Sequence, residues 1–506
     1  MIIERSSAWK EGFIERLENR EAWDNWTLYQ MSYEVAKTNL ITEFDGLQAP
    51  KYLPNLTPLA HQLDAAKTVI ERMNGKAILA DEVGLGKTIE AGLILKEYLV
   101  RGLVKKALIL VPASLVNQWI EELHHKFHIP AIQYKKNYDL NYCDIVVMSI
   151  DMAKRSPHKE NIYAQAFDLI IIDEAHKLKN HKTKSYEFVQ HLQKKFCLLL
   201  TATPIQNDVF ELFYLISLLK PGHLGSYDAF QSAFSARKHD VEHEDFLREL
   251  VNQVMVRNRR QDTGIDWTNR HVQIMPIDFT AAEKEVYDLI SQLNHFSGAF
   301  SKMTLQREMC SSQEAAYVTL TKMLQQCIEP TAIAAMDDIM EKLKELDIHS
   351  KAEKAYDIIT QANDKVILFT EYRASQSYLQ EYLYSKGISS VLFNGKFSKS
   401  KREWMKQLFQ EQAQVLIATE SGSEGINLQF CHHVINYDLP WNPMKLEQRI
   451  GRVHRLGQEH DVHIYNLAIQ HTIEDHILNL LHVKIGVFEQ VVGELDDILS
   501  TFKESI

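Results

Sequence analysis

Three short clusters of residues have the types and spacing of phosphate chemistry. The first is "LADEVGLGKT", residues 79–88. Gly86, Lys87 and Thr88 match the end of the phosphate-loop pattern G-x-x-x-x-G-K-[ST], although Asp81 stands where that pattern has its first glycine. Gly84 and Gly86 permit positive φ, so successive backbone N–H groups can turn inward and cradle phosphate oxygens. Lys87 can reach the β- and γ-phosphates, and Thr88 can hold Mg²⁺. A plain strand-to-helix turn is the alternative; it needs a glycine but not Gly-Lys-Thr in that order. The second cluster is "LIIIDEAHKL", an apolar run ending in Asp173-Glu174. A metal–nucleotide site needs one carboxylate for the ion and another to orient or deprotonate the attacking water. An isolated pair at a strand end is otherwise a solvated turn. The third is "QRIGRVHRLGQ", with Gln448, Arg449, Arg452 and Arg455. Arg452 and Arg455 share a helix face at i, i+3. Guanidinium groups can neutralise charge that develops on a transferring phosphoryl group. Alone, such a pair is a solvated basic helix.

The elements around these clusters place them. "KAILADE", "KALILVPAS", "CDIVVMSID", "FDLIIIDEAH" and "FCLLLTATP" are short apolar runs that stop at polar or turn residues. They read as buried parallel strands. With helical patterns between them they build a doubly wound α/β domain, whose ligands sit at the carboxyl ends of the strands. The helix "TIEAGLILKEYL" directs its positive dipole end at the phosphate loop. From about residue 207 to 350 the chain reads as helical, broken by one strand-like stretch, "HVQIMPIDF" (271–279). The alternation then returns with "KVILFTEY", "SSVLFNG", "QVLIATESG", "HHVINYDLP" and "DVHIYNLAI". The expected organisation is a helical arm (1–52), lobe 1 (53–280, with a protrusion at about 208–270), a helical protrusion or linker (281–350), lobe 2 (351–480) and a C-terminal amphipathic helix (481–506). In the arm, Trp9, Phe13 and Leu17 stand at helical spacing with Trp23 and Trp26 nearby, a face expected to pack on the core.

A chain of 506 residues exceeds one hydrophobic core. No apolar run of about 18 residues is present, which excludes a membrane-spanning function. The N-terminus lacks an apolar signal segment. Cys143, Cys197, Cys310, Cys327 and Cys431 have no paired spacing, which points away from a disulfide framework or zinc site and toward a reducing cytosol. The net charge of −11 means that a nucleic-acid partner must be held by local basic patches. Three such patches are "HKLKNHKTK" (Lys177, Lys179), "RNRR" (Arg257, Arg259) and "KFSKSKREWMK" (Lys399, Lys401, Arg402). Each could equally be a solvated face.

Taken together, the ordered motifs from about Leu59 to Leu467 resemble the SNF2 group of superfamily 2 helicase-type ATPases. The loop form D-E-x-G-L-G-K-T, "DEAH", "LLLTATPIQN", "IATESGSEGINLQ" and "QRIGRVHRLGQ" carry the resemblance. It implies two RecA-like parallel-sheet lobes with helical insertions, ATP and Mg²⁺ as ligands, and duplex DNA as partner, with RNA as the alternative. "LTPLAHQ" resembles the adenine-reading segment, with Gln62 as base contact. The loop residues Asp81, Glu82, Gly84, Leu85, Gly86, Lys87 and Thr88 are then nucleotide-binding. Arg452 and Arg455 are the fingers, and Gln448 orders the water. His176, Thr201, Thr203 and Gly425 belong to coupling motifs. Ser114, Ser149, Ser421 and Gly422 lie in motifs that face nucleic acid in relatives. "GSEGINLQF" and "YDLPWNPMKLEQRIGRVHRLGQ" are more similar to the bacterial HepA/RapA branch, without that branch's extra domains. The implied activity is DNA-stimulated ATP hydrolysis driving translocation on duplex DNA in the bacterial cytosol or nucleoid. Alternatives are an accessory ATPase docked on RNA polymerase, or on a repair or defence complex, and an ATP-gated clamp without sustained turnover.

Overall fold

The computed structural model describes residues 8–19, 26–39, 46–135, 139–202, 204, 209–234, 241–293, 299–420 and 426–481. The chain forms two units, Met1–Leu47 and Gln48–Ile506. The first contains helices Ala8–Glu18 and Trp26–Asn39. Trp26, Tyr29 and Tyr33 stack along one face of the latter, with ring centres 5.2 and 6.3 Å apart. Trp23, the side chains of Trp9 and Leu17, and residues 482–506 of the expected C-terminal helix lie outside the described residues.

The larger unit is built on two parallel sheets. The first comprises β1 (Lys76–Leu79), β2 (Ala107–Val111), β3 (Ala131–Gln133), β4 (Ile145–Ser149), β5 (Phe167–Asp173), β6 (Lys194–Leu200) and β7 (Met255–Val256), in the order β3-β4-β2-β5-β6-β1-β7. The second comprises β8 (Arg270–Ile277), β9 (Val366–Thr370), β10 (Ser390–Phe393), β11 (Val415–Thr419), β12 (His433–Asn436) and β13 (Val462–Ile469), in the order β10-β11-β9-β12-β13-β8. The central strands are buried along their whole length, as their unbroken apolar runs require. Because β1, β6 and β5 are neighbours, the phosphate loop after β1, Thr201 after β6 and Asp173 at the end of β5 emerge side by side.

Two expectations need correction. Residues 270–277 do not belong to lobe 1: β8 pairs in parallel with β13 from Arg270↔Val462 to Ile277↔Ile469 and closes the edge of the second sheet. The segment that returns to lobe 1 is β7, two residues long, paired with β1. Sheet membership depends on a partner almost 200 residues away, so local pattern could not assign it. Residues 281–350 are likewise no linker. Val286, Ile290, Met309, Leu320 and Met336 from this helical insertion share one core with Ile359, Leu368, Ile417 and Leu467 of lobe 2. The helices Val209–Leu219, Tyr227–Phe234 and Val241–Asn252 pack their apolar faces into the core of lobe 1.

At the opposite end of the second sheet three histidines form a cross-strand ladder. His433, His463 and His271 are successive register partners on β12, β13 and β8, with ring centres 5.1 and 5.0 Å apart. Burial, and then the neighbouring His432 and His463, hold the His433 imidazole down at about 4, against an ordinary 6.5. The unfolded chain therefore binds a proton here at a pH where the folded chain does not. Stability from this group is complete above pH 6.5 and is lost as pH falls toward 4. The change His433→Asn is expected to lessen the fall in melting temperature between pH 7 and pH 5, about the two sides of an ordinary histidine pKa. Thermal melts of both proteins at the two pH values check this; equal losses would show that His433 does not contribute.

Candidate nucleotide site

The loop between β1 and the helix Lys87–Val100 turns on two left-handed glycines, Gly84 at φ +98 and Gly86 at φ +96. Gly86 caps the helix, so the loop ends at a helix N-terminus where free N–H groups and the dipole favour an anion. The Lys87 ammonium donates to the carbonyls of Asp81 (2.6 Å) and Glu82 (3.2 Å). Burial lowers its pKa, opposed by the carboxylates of Asp81, Glu174, Glu90 and Asp173. A cation so placed is compensated by several acidic groups, and a phosphate would add its strongest partner.

A cavity of about 250 Å³ opens over the loop. Lobe 1 lines it with Gly84, Gly86, Lys87, Thr88, Trp119, Asp173, Glu174 and Thr201, and lobe 2 with Gln448, Arg452 and Arg455. The two acidic residues sit in different environments. Asp173 accepts from the indole N–H of buried Trp119 (2.9 Å) and from the Glu174 N–H (2.8 Å). Burial, then the Glu174 charge, raises its carboxyl to about 6. Burial also acts on Glu174, but His176, Arg452 and Lys87 outweigh it and hold that carboxyl at about 2. His176 Nδ1 stands 3.1 Å from Glu174 Oε2. Glu174 itself adopts φ +53, a left-handed conformation uncommon for a side chain of its kind and typical of positions where function dictates the backbone. Each Asp173 oxygen keeps a free lone pair, so with the Thr88 hydroxyl it forms a hard-oxygen set suited to Mg²⁺.

From lobe 2, the helix Pro443–Ile450 presents Gln448, and the turn after it presents Arg452 and Arg455. Arg455 is held by the Gly451 carbonyl at 2.6 Å, and burial, with Arg452 beside it, lowers its guanidinium pKa to about 10. Contact between the lobes is close at two glycines. A methyl group on Gly84 would stand 3.3 Å from the His454 carbonyl and 3.5 Å from Arg455 Cα. A methyl on Gly451 would clash with Val83 Cγ1.

Several expected residues have other positions. Asp81 and Glu82 do not turn their side chains to the cavity. The buried Asp81 carboxylate accepts from the Asn258 backbone N–H (2.8 Å) and side-chain amide (3.0 and 3.1 Å), and Glu82 accepts from the Arg260 N–H (3.0 Å). These acids tie the loop to the segment after β7, which explains an Asp where a glycine is usual. Gln62 and Leu85 also lie outside the cavity lining: the Gln62 amide donates to the Leu85 carbonyl (2.9 Å), and its oxygen accepts from Leu59 N–H (3.0 Å). The basic patches are partly engaged. Arg259 pairs with Asp262 at 2.7 Å, Lys179 with Glu211 at 2.9 Å, and Arg402 donates to the Gly395 carbonyl at 3.1 Å. Ser149 caps the helix that follows it. Arg257 is half-buried, while Ser114, Lys177 and Lys401 are exposed. Thr203, Ser421, Gly422 and Gly425, and the side chain of Lys399, lie outside the described residues. Trp119 is the main residue that sequence reading passes over; its only signal is its place in "LVNQW" after β2.

A loop, a carboxylate pair and an arginine set gathered between two parallel sheets define a two-lobed nucleotide-hydrolase core. The SNF2-related domain model matches residues 61–335, and the helicase conserved C-terminal domain model matches residues 350–457. The uncharacterized ATP-dependent helicase YqhH of Bacillus subtilis (strain 168) is 61% identical over 500 residues, 97% of this chain and 90% of that protein. The RNA polymerase-associated protein RapA of Stutzerimonas stutzeri (strain A1501) is 27% identical over 85% of this chain and 49% of its own length. The Sulfolobus solfataricus SWI2/SNF2 ATPase core in complex with dsDNA aligns at a TM-score of 0.44 and 22% identity, covering 91% of this chain and 97% of that one. The chain belongs to the SNF2-related family of helicase-like ATPases. It is accordingly an ATP hydrolase, and its match to RapA spans about half of that protein's length.

Gly451 has an ordinary helical φ of −63, so Gly451→Ala should leave lobe 2 folded. The added methyl should instead hold the lobes apart at Val83. We expect nucleotide affinity within a few-fold of the parent and turnover lower by about 10-fold or more, the scale of a small displacement of catalytic groups. Fluorescent-nucleotide titration and steady-state hydrolysis separate the two; unchanged turnover would show that closure tolerates the methyl.

Proposed function

We propose that the protein is a DNA-stimulated ATPase that translocates on duplex DNA and displaces or remodels bound protein. The observation that carries the reading is the shared cavity, in which Lys87, Asp173 and Glu174 from one lobe face Gln448, Arg452 and Arg455 from the other. In this reading the loop N–H groups and Lys87 hold the phosphates. Thr88 and Asp173 would hold Mg²⁺, which would supply positive charge to offset that of the phosphates. Glu174, kept ionised by its cationic neighbours, accepts the proton of the attacking water. Gln448 orients that water, and Arg452 neutralises charge on the transferring phosphoryl group. Hydrolysis removes the group that both lobes grip, so the interface loosens once per cycle. That alternation of closed and open lobes is the source of movement.

Duplex DNA is proposed as the track because family membership and the basic segments at strand carboxyl ends agree on it. The exposed Lys177, Lys401 and Ser114 can contact phosphates and read no bases. The RapA similarity favours a second reading, an accessory ATPase that docks on RNA polymerase. Hydrolysis rates with no nucleic acid, duplex DNA, single-stranded DNA and RNA distinguish the cases. Stimulation by free duplex supports translocation; no response to any nucleic acid, with polymerase co-purification, supports the second. DNA binding without turnover would indicate a clamp.

Two further outcomes are expected. Glu174→Gln should retain ATP binding and lose hydrolysis, because an amide cannot accept the proton, and Arg452→Ala should lose about 10³-fold in kcat with near-normal nucleotide affinity. Single-turnover hydrolysis beside nucleotide titration checks both; a loss confined to affinity would move Arg452 to ground-state binding. On DNA, log affinity against log salt should have a slope of about 4 to 7, at roughly 0.9 per neutralised phosphate. Changing Lys399, Lys401 and Arg402 together to Ala should lower that slope and weaken binding equally on unrelated sequences. Anisotropy at several salt concentrations gives the answer, and an unchanged slope would take this patch off the DNA path.

A further inference from the structure

One half-buried guanidinium of the helical insertion touches the element that carries the lobe-2 arginine set. Arg307 lies on the helix Ala299–Ser311, packed against lobe 2. Its Nη2 donates to Glu371 Oε2 at 2.8 Å and to the Leu439 carbonyl at 3.0 Å. Its guanidinium carbon also lies 5.2 Å from the centre of the Trp441 ring. Leu439 and Trp441 belong to the short segment that leads into the helix Pro443–Ile450, which presents Gln448. The other oxygen of Glu371 stands 3.9 Å from Arg449 Nη2. Arg449 is buried and donates to the Asn436 side chain (3.1 Å) and the Asp438 carbonyl (2.8 Å). The Arg452 N–H then donates to the Arg449 carbonyl at 3.1 Å. Arg307 thus grips the catalytic helix at its start, through Leu439 and Trp441, and at its end, through Glu371 and Arg449.

A structural clamp would be the plain explanation, but the insertion has other fastenings. It shares an apolar core with lobe 2, Tyr437 donates to the Ser311 carbonyl at 2.7 Å, and Ser311 donates to Asp438 at 3.0 Å. Arg307 is therefore one of several contacts that hold the insertion on lobe 2. What it adds is a fixed geometry for the segment that ends in Gln448 and Arg452. A planar, forked guanidinium suits that task, because it bonds and stacks at the same time.

We propose that Arg307 is a positioning residue through which the helical insertion sets the catalytic glutamine and arginine of lobe 2. This rests on the reading of Arg452 as a catalytic group. It makes the insertion part of the catalytic apparatus: a movement of its helix on DNA would reach the phosphoryl site through Arg307, beside the Ser311–Asp438 contact.

The test is a double-variant cycle on the full-length protein, with kcat, KM for ATP and melting temperature measured for each. Arg307→Ala should lower kcat by about 10- to 100-fold, the loss that a displacement near 1 Å produces, with KM within twofold and little change in melting temperature. Arg307→Lys should recover part of the rate, since an ammonium still reaches Glu371 but cannot also stack on Trp441. In the Arg452→Ala background, Arg307→Ala should cost clearly less than in the parent, because the part of its effect that passes through the missing arginine is gone and only the part through Gln448 remains. Glu371→Gln, nearly the same shape, should lower kcat in the same way and serves if Arg307→Ala folds poorly. Full kcat in Arg307→Ala, while Arg452→Ala is impaired, overturns this inference alone. So does an undiminished loss in the Arg452→Ala background, or a fall in rate that only tracks a fall in melting temperature. Full turnover in Arg452→Ala overturns the reading of the site itself.

Discussion

The approach of two glycines across the lobe interface is the constraint on which the rest depends. Gly84 turns the phosphate loop and leaves room for His454 and Arg455, while Gly451 leaves room for Val83. With both methyl positions empty, the arginine turn of lobe 2 lies close against the phosphate loop of lobe 1. The short residues are therefore as much a part of the site as the charged ones. They also make closure sensitive to small displacement, because packed surfaces transmit strain instead of absorbing it.

Around that contact, buried polar groups do the wiring. Asp81 and Glu82 anchor the loop to Asn258 and Arg260, and the Arg260 guanidinium also meets the Val83 carbonyl. Trp119 and the Glu174 N–H fix Asp173. In lobe 2, fully buried Lys351 pairs with Glu474 at 2.6 Å, and Asp438 gathers Ser311, Thr370 and the Glu371 N–H. Desolvating such groups is costly unless each finds partners, and a well-satisfied network fixes one geometry rather than several. Here the fixed geometry is that of two strand-end loops and one arginine-bearing turn.

The adjacent carboxylates show how one chain obtains two functions from one residue type. Both are half-buried near the same lysine. Glu174 has His176 and Arg452 as further neighbours, which favour its ionised form, whereas for Asp173 burial and a negative neighbour outweigh the indole N–H that it accepts. In the proposed function, Asp173 would hold the divalent cation and Glu174 would accept the proton. The difference comes from lobe 2 in part, through Arg452.

Much of this was legible in the sequence. Gly86-Lys87-Thr88, Asp173-Glu174 and the arginines of "QRIGRVHRLGQ" follow strands recognisable from apolar runs, because a strand buried on both faces has no polar alternative. Local pattern therefore determined both α/β lobes and their catalytic motifs. Tertiary structure alone decided what depends on distant partners. It gave β8 to lobe 2 through pairing with β13, and it turned Asp81 away from phosphate toward Asn258. It placed the Trp119 indole on Asp173 and the helical insertion, through Arg307, on the catalytic helix of lobe 2. Spacing along a chain encodes which residues share a turn or a face. Which buried donor meets which buried acceptor is fixed only when sheets close and water is excluded, and in this protein that choice governs the phosphate loop, the metal carboxylate and the arginine turn.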